Sequence, residues 1–463
     1  MFKRNLLMTM LLAAVALGSQ AQDVMTLSLD DCIKIALNDN PSIKINEMEL
    51  ERVDYAKKEV LGKLFPEISF SGQYTRNIAL QTIYIDAGAM GALGGGAAGG
   101  EGGEGAAAAD TKPKGMKMGR ENTYTTGFSA TVPIVVPALW KTIKLSDNEI
   151  LQNLETSRAN KLALVNKVKN AYYALLLAQD TKRVIEHNHS TAQNHAAIYQ
   201  KKFELGTASE FDVLRANVAV TNLEPSILDA DNSIKKLKLQ LKVLMGMDAA
   251  IEIAPKETLD EFKSTMYEHA LNADTSLVFN TDLKTLDLKT DHLNKALDVQ
   301  KASWYPTLTG SANYMWNSMS NGSPFKNFMW NPMSSVGLTL AIPLFQGGQR
   351  YFKQKQAEIA VREMKWRRED LERSLHTQVQ VQIDNLNKSI KQIESNNAGV
   401  KQAIKASEIK NQSFKIGAAS FIELRDTDDA LMNAQLSYYQ AIYNYLVADS
   451  DLEFVLGNSN YAN

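Results

Sequence analysis

Two periods of apolar positions take turns along this chain. From Leu29 to Asn38 apolar residues recur at helical spacing, Asn38-Asp-Asn-Pro41 breaks the pattern, and a second helical stretch runs from Ser42 to about Phe65. It stops at Pro66, whose ring cannot continue a helix. The period then falls to two: Ile68, Phe70, Gly72 and Tyr74 alternate with Ser69, Ser71, Gln73 and Thr75. That predicts an amphipathic strand of about ten residues, the length a tilted strand needs to cross a bilayer. The same period returns at Tyr124, Thr126, Phe128, Ala130 and Val132, set against Thr125, Gly127, Ser129 and Thr131, and ends at Pro133 and Pro137.

From Ala138 to Leu205 there are 68 residues without Gly or Pro. They predict one helix of about 100 Å. No single globular domain buries the face of so long a helix, so an extended bundle is expected. Leu154, Leu162, Val165, Val168, Tyr172 and Leu175 supply its seam. A return helix follows from Ser209 to Met245, kinked at Pro225.

The pattern then repeats. Ala270-Leu-Asn272 echoes Ala36-Leu-Asn38, and a helix ends at Tyr305-Pro306 as one did at Phe65-Pro66. A strand carries Leu308, Gly310, Ala312, Tyr314 and Trp316 on one face; after a loop, Asn317 to Asn331, another carries Val336, Leu338, Leu340 and Ile342. A second 68-residue helix is expected from Gln349 to Ile416, with Val379, Ile383, Leu386, Ile390, Ile393 and Val400 as a heptad seam, and a return helix from Ser420 to Leu456. The helices before the strands and the return helices together match each long helix in length. Two short helices stacked end to end would therefore line one long one, with strands at one end of the column and a hairpin tip at the other.

The tips carry the clearest repeat. Phe203-Glu-Leu-Gly206-Thr-Ala-Ser209-Glu-Phe-Asp212 recurs 211 residues later as Phe414-Lys-Ile-Gly417-Ala-Ala-Ser420-Phe-Ile-Glu423. Gly206 and Gly417 suit the left-handed turn that ends a helix. Ser209 and Ser420 suit the cap of the next, and Ser420 with Glu423 forms a capping box. Thr207, Ala208, Ala418 and Ala419 are small residues at the exposed end of each hairpin, where helices of a partner would pack closely.

The expected boundaries are a signal peptide at 1–21, a first strand-pair and hairpin repeat at 22–246, a linker at 247–263, a second repeat at 264–457 and a tail at 458–463. Within the first repeat, residues 86–120 are Gly/Ala-rich, as in Gly94-Gly-Gly-Ala-Ala-Gly-Gly100, and are expected to be a flexible extracellular loop. Met1-Phe-Lys-Arg-Asn, an apolar run from Leu6 to Leu17 and Ser19-x-Ala21 predict export. Net charge is −2, which gives no reason to expect a nucleic-acid partner, and the lone Cys32 excludes an internal disulfide. No later stretch has 18 consecutive apolar residues, so an exported chain that spans a membrane must do so with strands.

The fold class expected is mostly α with a membrane β-barrel: long coiled-coil hairpins plus four transmembrane strands per chain. Four strands cannot close a barrel, and open edges in lipid leave backbone groups unpaired at several kcal/mol each. Two chains give eight strands, whose interior side chains nearly fill. Three give twelve and leave a lumen, so a homotrimer with a twelve-stranded barrel is the smallest pore.

The duplicated architecture, the Gly-x-x-Ser tips and Asn38-x-Asn-Pro41 resemble the TolC-like outer-membrane efflux proteins over essentially the whole mature chain. The resemblance implies a trimeric channel in the outer membrane of a Gram-negative bacterium, with a long periplasmic α-barrel. It implies docking on a periplasmic adaptor and an inner-membrane pump, and export of drugs, metals or proteins. The adaptor would meet the tips, Gly206, Thr207, Ala208, Ser209, Gly417, Ala418, Ala419 and Ser420. It further implies a periplasmic gate of acidic rings at Glu423 and Asp426, although capping and helix-dipole chemistry accounts for the same two acids. In the first half, Asp212 and Arg215 would form either a tip-closing salt bridge or a local helix pair.

His187, His189 and His195 share one long helix at spacings of two and six, which suit a solvated surface better than a metal site. Tyr74, Tyr124, Tyr314, Trp316 and Trp330 read as an aromatic girdle at the lipid interface. No nucleophile with its base, metal-ligand cluster or phosphate loop is legible, so neither enzyme nor cofactor is expected. The competing reading is an exported coiled-coil structural protein or adhesin with no transport role, which leaves the four amphipathic strands without a purpose.

Overall fold

The computed structural model describes residues 24–85, 114–263, 266, 275–326 and 329–458. The expected signal peptide, most of the Gly/Ala-rich segment, the echo at 270–272 and the tail beyond Asn458 lie outside them. Contacts divide the chain into a unit of Met1–Asp54, Asn148–His292 and Ala360–Asn463 and a unit of Tyr55–Asp147 and Leu293–Ile359.

In chain order the elements are β1 (Met25–Leu27), α1 (Leu29–Asp39), α2 (Pro41–Gly62), β2 (Glu67–Arg76), β3 (Gln81–Ile85), β4 (Lys114–Met118), β5 (Asn122–Val135), α3 (Pro137–Glu204), α4 (Glu210–Thr221) and α5 (Glu224–Met245). They continue as β6 (Ile253–Pro255), α6 (Leu259–Phe262), α7 (Thr281–Ala302), β7 (Thr307–Ser320), β8 (Asn331–Ala341), α8 (Gln349–Lys415) and α9 (Phe421–Leu456). The long helices form without interruption, 68 residues in α3 and 67 in α8. No described helix is long and apolar enough to cross a membrane.

In the helical unit the heptad seam of α8 is the core. Val379, Leu386 and Ile393 are buried, and Ile383, Ile390 and Val400 pack against them half-buried. On α3, Leu162, Val165, Val168, Tyr172 and Leu175 are buried as expected, but Leu154 is 49% exposed and lies off the seam. The return of the first hairpin is two helices, not one, because the chain turns at Asn222 and Leu223 and Pro225 sits in the first turn of α5. Proline is tolerated there because the first turn has no partner for its missing N–H.

The end-to-end stacking of short helices is made by two asparagines. The Asn40 side-chain amide donates to Leu244 O at 2.7 Å, in the last turn of α5, while its Oδ1 accepts from Ser42 N at 2.8 Å, in the first turn of α2. Asn280 does the same in the second half, donating to Val455 O at 2.6 Å and accepting from Leu283 N at 2.8 Å. Each asparagine thus satisfies an orphan carbonyl of one helix and an orphan N–H of the next. A glycine ends each incoming helix, Gly246 at φ 69° and Gly457 at φ 70°. A Cβ on Gly246 would stand 2.6 Å from Asp39 O, and one on Gly457 2.1 Å from Phe279 O. Gly457→Ala should therefore cost more than the roughly 1–2 kcal/mol of a left-handed alanine, because backbone must also move. A drop in thermal midpoint larger for Gly457→Ala than for Gly417→Ala, whose Cβ would meet open space, would bear this out.

The linker expected at 247–263 is not a bare connection. Its β6 pairs in parallel with β1, Met25 opposite Ile253, and Ile253 and Leu259 are fully buried. Cys32 lies in the same core, and burial pushes its thiol up to about 12, so it is inert.

In the other unit, β2, β5, β7 and β8 form a four-stranded antiparallel sheet in that order. Register places Ile68, Ala130, Ala312 and Val336 in one row and Phe70, Phe128 and Tyr314 in the next. The opposite face carries Ser69, Ser129, Asn313 and Ser335, and Gln73, Thr125, Asn317 and Asn331. The strands are longer than the period showed: β7 runs to Ser320 through the start of the expected loop. Lys114–Met118, expected within the loop of 86–120, instead pairs as β4 with β3. Of the expected girdle, Tyr124 is buried rather than exposed, since Tyr74 stacks on it at 4.9 Å and Phe325 packs at 5.6 Å.

Candidate functional site

Both tips are built the same way. At the first, Gly206 has φ 73°, and Thr207 N–H donates back to Lys202 O at 2.8 Å. At the second, Gly417 has φ 79°, and Ala418 N–H donates to Ser413 O at 2.8 Å. These bonds close the long helices in the left-handed manner that glycine allows. Ser209 with Asp212 and Ser420 with Glu423 then form complete capping boxes at the starts of α4 and α9. The first box went unread in the sequence, where only Ser420 and Glu423 match the usual Ser-x-x-Glu spelling; aspartate serves as well.

The tips share one core. Tyr199, Val213, Ala216, Phe414, Phe421 and Leu424 are buried together, with ring centroids of Tyr199 and Phe421 5.2 Å apart and of Tyr199 and Phe414 5.7 Å apart. Ala208 and Ala419 are half-buried and pack on this core. Gly206, Thr207 and Ser209, with Gly417, Ala418 and Ser420, are exposed. These six residues are open to solvent beside Leu205 and Ile416, which are exposed at 79% and 82%, and the two alanines support them from beneath.

The four gate candidates are not brought together by any bond. Asp212 is a capping residue: Ser209 Oγ donates to its carboxylate at 2.7 Å and Ser209 N–H at 3.1 Å, and both bonds hold it below the usual carboxylate range. Arg215 makes no ion pair within 4 Å among the described residues, so the salt bridge with Asp212 is not formed within the chain. Glu423 accepts from Ser420 N–H at 3.0 Å and lies 3.3 Å from Lys410 Nζ; the Ser420 bond and then Lys410 lower its pKa. Asp426 is exposed, and its carboxylate makes no hydrogen bond or ion pair among the described residues.

A second polar group lies deeper. His195, expected on a solvated surface, is 7% exposed, and its Nε2 is 3.1 Å from Asp428 Oδ2. Ser407 Oγ donates to Asp428 Oδ1 at 2.8 Å. Three helices, α3, α8 and α9, meet through these residues. The sequence held one sign of it: His195 precedes Gly206 by 11 residues and Asp428 follows Gly417 by 11, which sets them level. His187 is exposed and His189 half-buried, and no group of three or more His, Cys, Asp or Glu among the described residues is placed to hold a metal.

Comparison with known proteins agrees with this arrangement. The sequence profile of the outer membrane efflux protein family matches residues 32–247 and 273–458, one stretch for each half. Outer membrane protein TolC of Vibrio cholerae serotype O1 is 22% identical over 321 residues, 69% of this chain and 73% of that protein. The alkaline protease secretion protein AprF of Pseudomonas aeruginosa is 24% identical over 340 residues, 73% of this chain and 70% of that one. The Campylobacter jejuni CmeC outer membrane channel superposes with a TM-score of 0.70 at 15% identity, covering 93% of this chain and 85% of the other. At that identity the superposition speaks for the fold.

Proposed function

The chain belongs to the outer membrane efflux protein family, and on that premise we propose that it works as a homotrimeric exit duct in the outer membrane of a Gram-negative bacterium. The duct would be the last component of a tripartite efflux or type I secretion assembly. Cargo would reach it from an inner-membrane pump through a periplasmic adaptor that meets the hairpin tips. Its role is passage and gating, with no catalytic step.

One observation carries the reading. The four-stranded sheet leaves both edges, β2 and β8, unpaired, and every residue of those two strands is exposed. Its apolar face is exposed with them, Ile68 at 71% and Val336 at 88%. An edge of this length and a bare apolar face are liabilities in water. In a bilayer, pairing β8 of one copy with β2 of the next satisfies the open backbone groups, and lipid covers the apolar face. The opposite face, rich in Ser, Thr, Asn and Gln with Glu67 at one end, would then line a polar lumen. A coiled-coil scaffold or adhesin offers no cover for either.

Native mass measurement in detergent should find three copies. A monomer or dimer would overturn the proposal, and a chain soluble without detergent would favour the scaffold.

A further inference from the structure

A cavity of about 710 Å³ lies in the helical unit between α3, α5 and the chain that leads from α5 to β6. We propose that it binds a small organic dianion, an apolar stem with an oxyanion at each end. The site is separate from the passage of cargo and does not depend on the channel reading. Its volume falls within the roughly 300–1,000 Å³ of small-molecule sites.

Ion pairs pin the walls to one another. Lys182 of α3 reaches Asp231 of α5 at 2.7 Å and Glu186 of its own helix at 3.3 Å. Lys238 of α5 faces Glu252, just before β6, at 3.8 Å. Arg183 is held by Asp180 at 2.8 Å. Every acid of the lining is thereby engaged, and two cations are left without one. Lys235 is exposed at the mouth and makes no ion pair among the described residues. Lys242 is 3% exposed, and its Nζ donates only to Ala249 O, at 2.9 Å. An ammonium carries three donors, so two of its N–H groups have no protein acceptor among the described residues. A buried cation met by one neutral carbonyl is costly away from water. The fold gains little from it in return, because Ala249 is exposed and water can serve its carbonyl. An anion in the cavity supplies the missing counter-charge.

The spacing of the cations sets the shape of the ligand. Lys235 and Lys242 stand two turns apart on one face of α5, about 10 Å along its axis at 1.5 Å per residue. Leu239 lies between them on that face and is 48% exposed. The α5 wall thus offers a positive charge at each end and an apolar middle. Lys182 already carries two acids, so the α3 wall repels anions and leaves the α5 wall to receive them. The one guanidinium of the lining is engaged, and lysine ammoniums act as point charges. Charge and separation therefore select the ligand, and planar bidentate geometry does not.

The test is calorimetric titration of the full chain in detergent with three probes: suberate, a long-stemmed dicarboxylate; succinate, a short one; and inorganic phosphate. Suberate should bind roughly tenfold or more tightly than either of the others, the lower worth of one added hydrogen bond to a charged group. Its affinity should fall as salt is raised. Lys235→Gln should bring suberate down to the level of succinate. Lys242→Met keeps the length of the side chain and removes the charge. It should abolish suberate binding and raise the thermal midpoint of the ligand-free protein, since a buried charge is relieved. No binding of suberate, or binding that both variants leave unchanged, would overturn the site. A lower midpoint in ligand-free Lys242→Met would make the lysine a structural strut and overturn it too. Phosphate bound as tightly as suberate would overturn the two-ended ligand. The channel reading is decided separately, by the native mass.

Discussion

Thr207→Trp combined with Ala418→Trp should abolish export while the trimer assembles normally. Both residues are exposed, each directly follows the left-handed glycine of its tip, and neither packs on the tip core. Thr207 Oγ1 donates to Lys202 O at 3.0 Å, so the indole gives up that bond, but the Thr207 N–H bond to the same carbonyl at 2.8 Å remains and the added bulk obstructs what approaches from outside. Overpacking a helix-to-helix contact costs roughly 1–3 kcal/mol per site, and a trimer would repeat the obstruction six times around the docking ring. Ala208→Trp with Ala419→Trp is a different experiment. Those methyls pack on the shared tip core, so the bulk would force it apart and disturb the tips themselves. Dye efflux in a strain lacking the native channel, with adaptor co-purification and unheated gels for assembly, separates the two pairs. Full export by the Thr207 and Ala418 double variant would remove the tips as the docking surface.

The long helices and the four long strands were legible because their signals are local and sustained. The 68 residues from Ala138 to Leu205 without Gly or Pro have few alternatives to a helix, the second long run carries a heptad seam through its one glycine, Gly399, and a period of two held for eight to ten residues predicts a strand. The β1–β6 pairing was not legible, since three-residue strands set no period and their partners stand at Met25 and Ile253. Lys114–Met118 was not legible, since five residues with Lys at the first and fourth positions set no clean period of two inside a Gly/Ala-rich stretch. Asn40 was visible through Pro41, whereas Asn280, which makes the same junction, has Thr281 after it and no comparable punctuation. His195 was misread because helical spacing compares a residue with neighbours on its own helix. Its partners are on α8 and α9, and only its distance from the tip pointed to them.

Asp426→Asn should weaken block of the pore by divalent cations on the order of tenfold, because three of the carboxylates that would hold the cation lose their charge together. In a trimer, Glu423 and Asp426 would each occur three times about one axis. Six carboxylates crowded there would attract cations and make the closed pore cation-selective. The two acids are not equivalent, however. Glu423 accepts from Ser420 N–H and faces Lys410 at 3.3 Å, so much of its charge is already answered within its own chain. The same partners depress its pKa, so the folded tip keeps this carboxylate ionised. Its support for the cap is present at neutral pH and is lost only as pH falls through that depressed value, below the ordinary carboxylate range. The exposed carboxylate of Asp426 has neither kind of partner. Glu423→Gln should consequently leave block and selectivity near wild type and speed hydrogen exchange in the first turn of α9, where the cap acts. The single variants, recorded in planar bilayers with calcium added from the periplasmic side, assign the roles. Unchanged block in Asp426→Asn, with lost block in Glu423→Gln, would reverse the assignment. Unchanged block in both would place the constriction elsewhere in the tunnel.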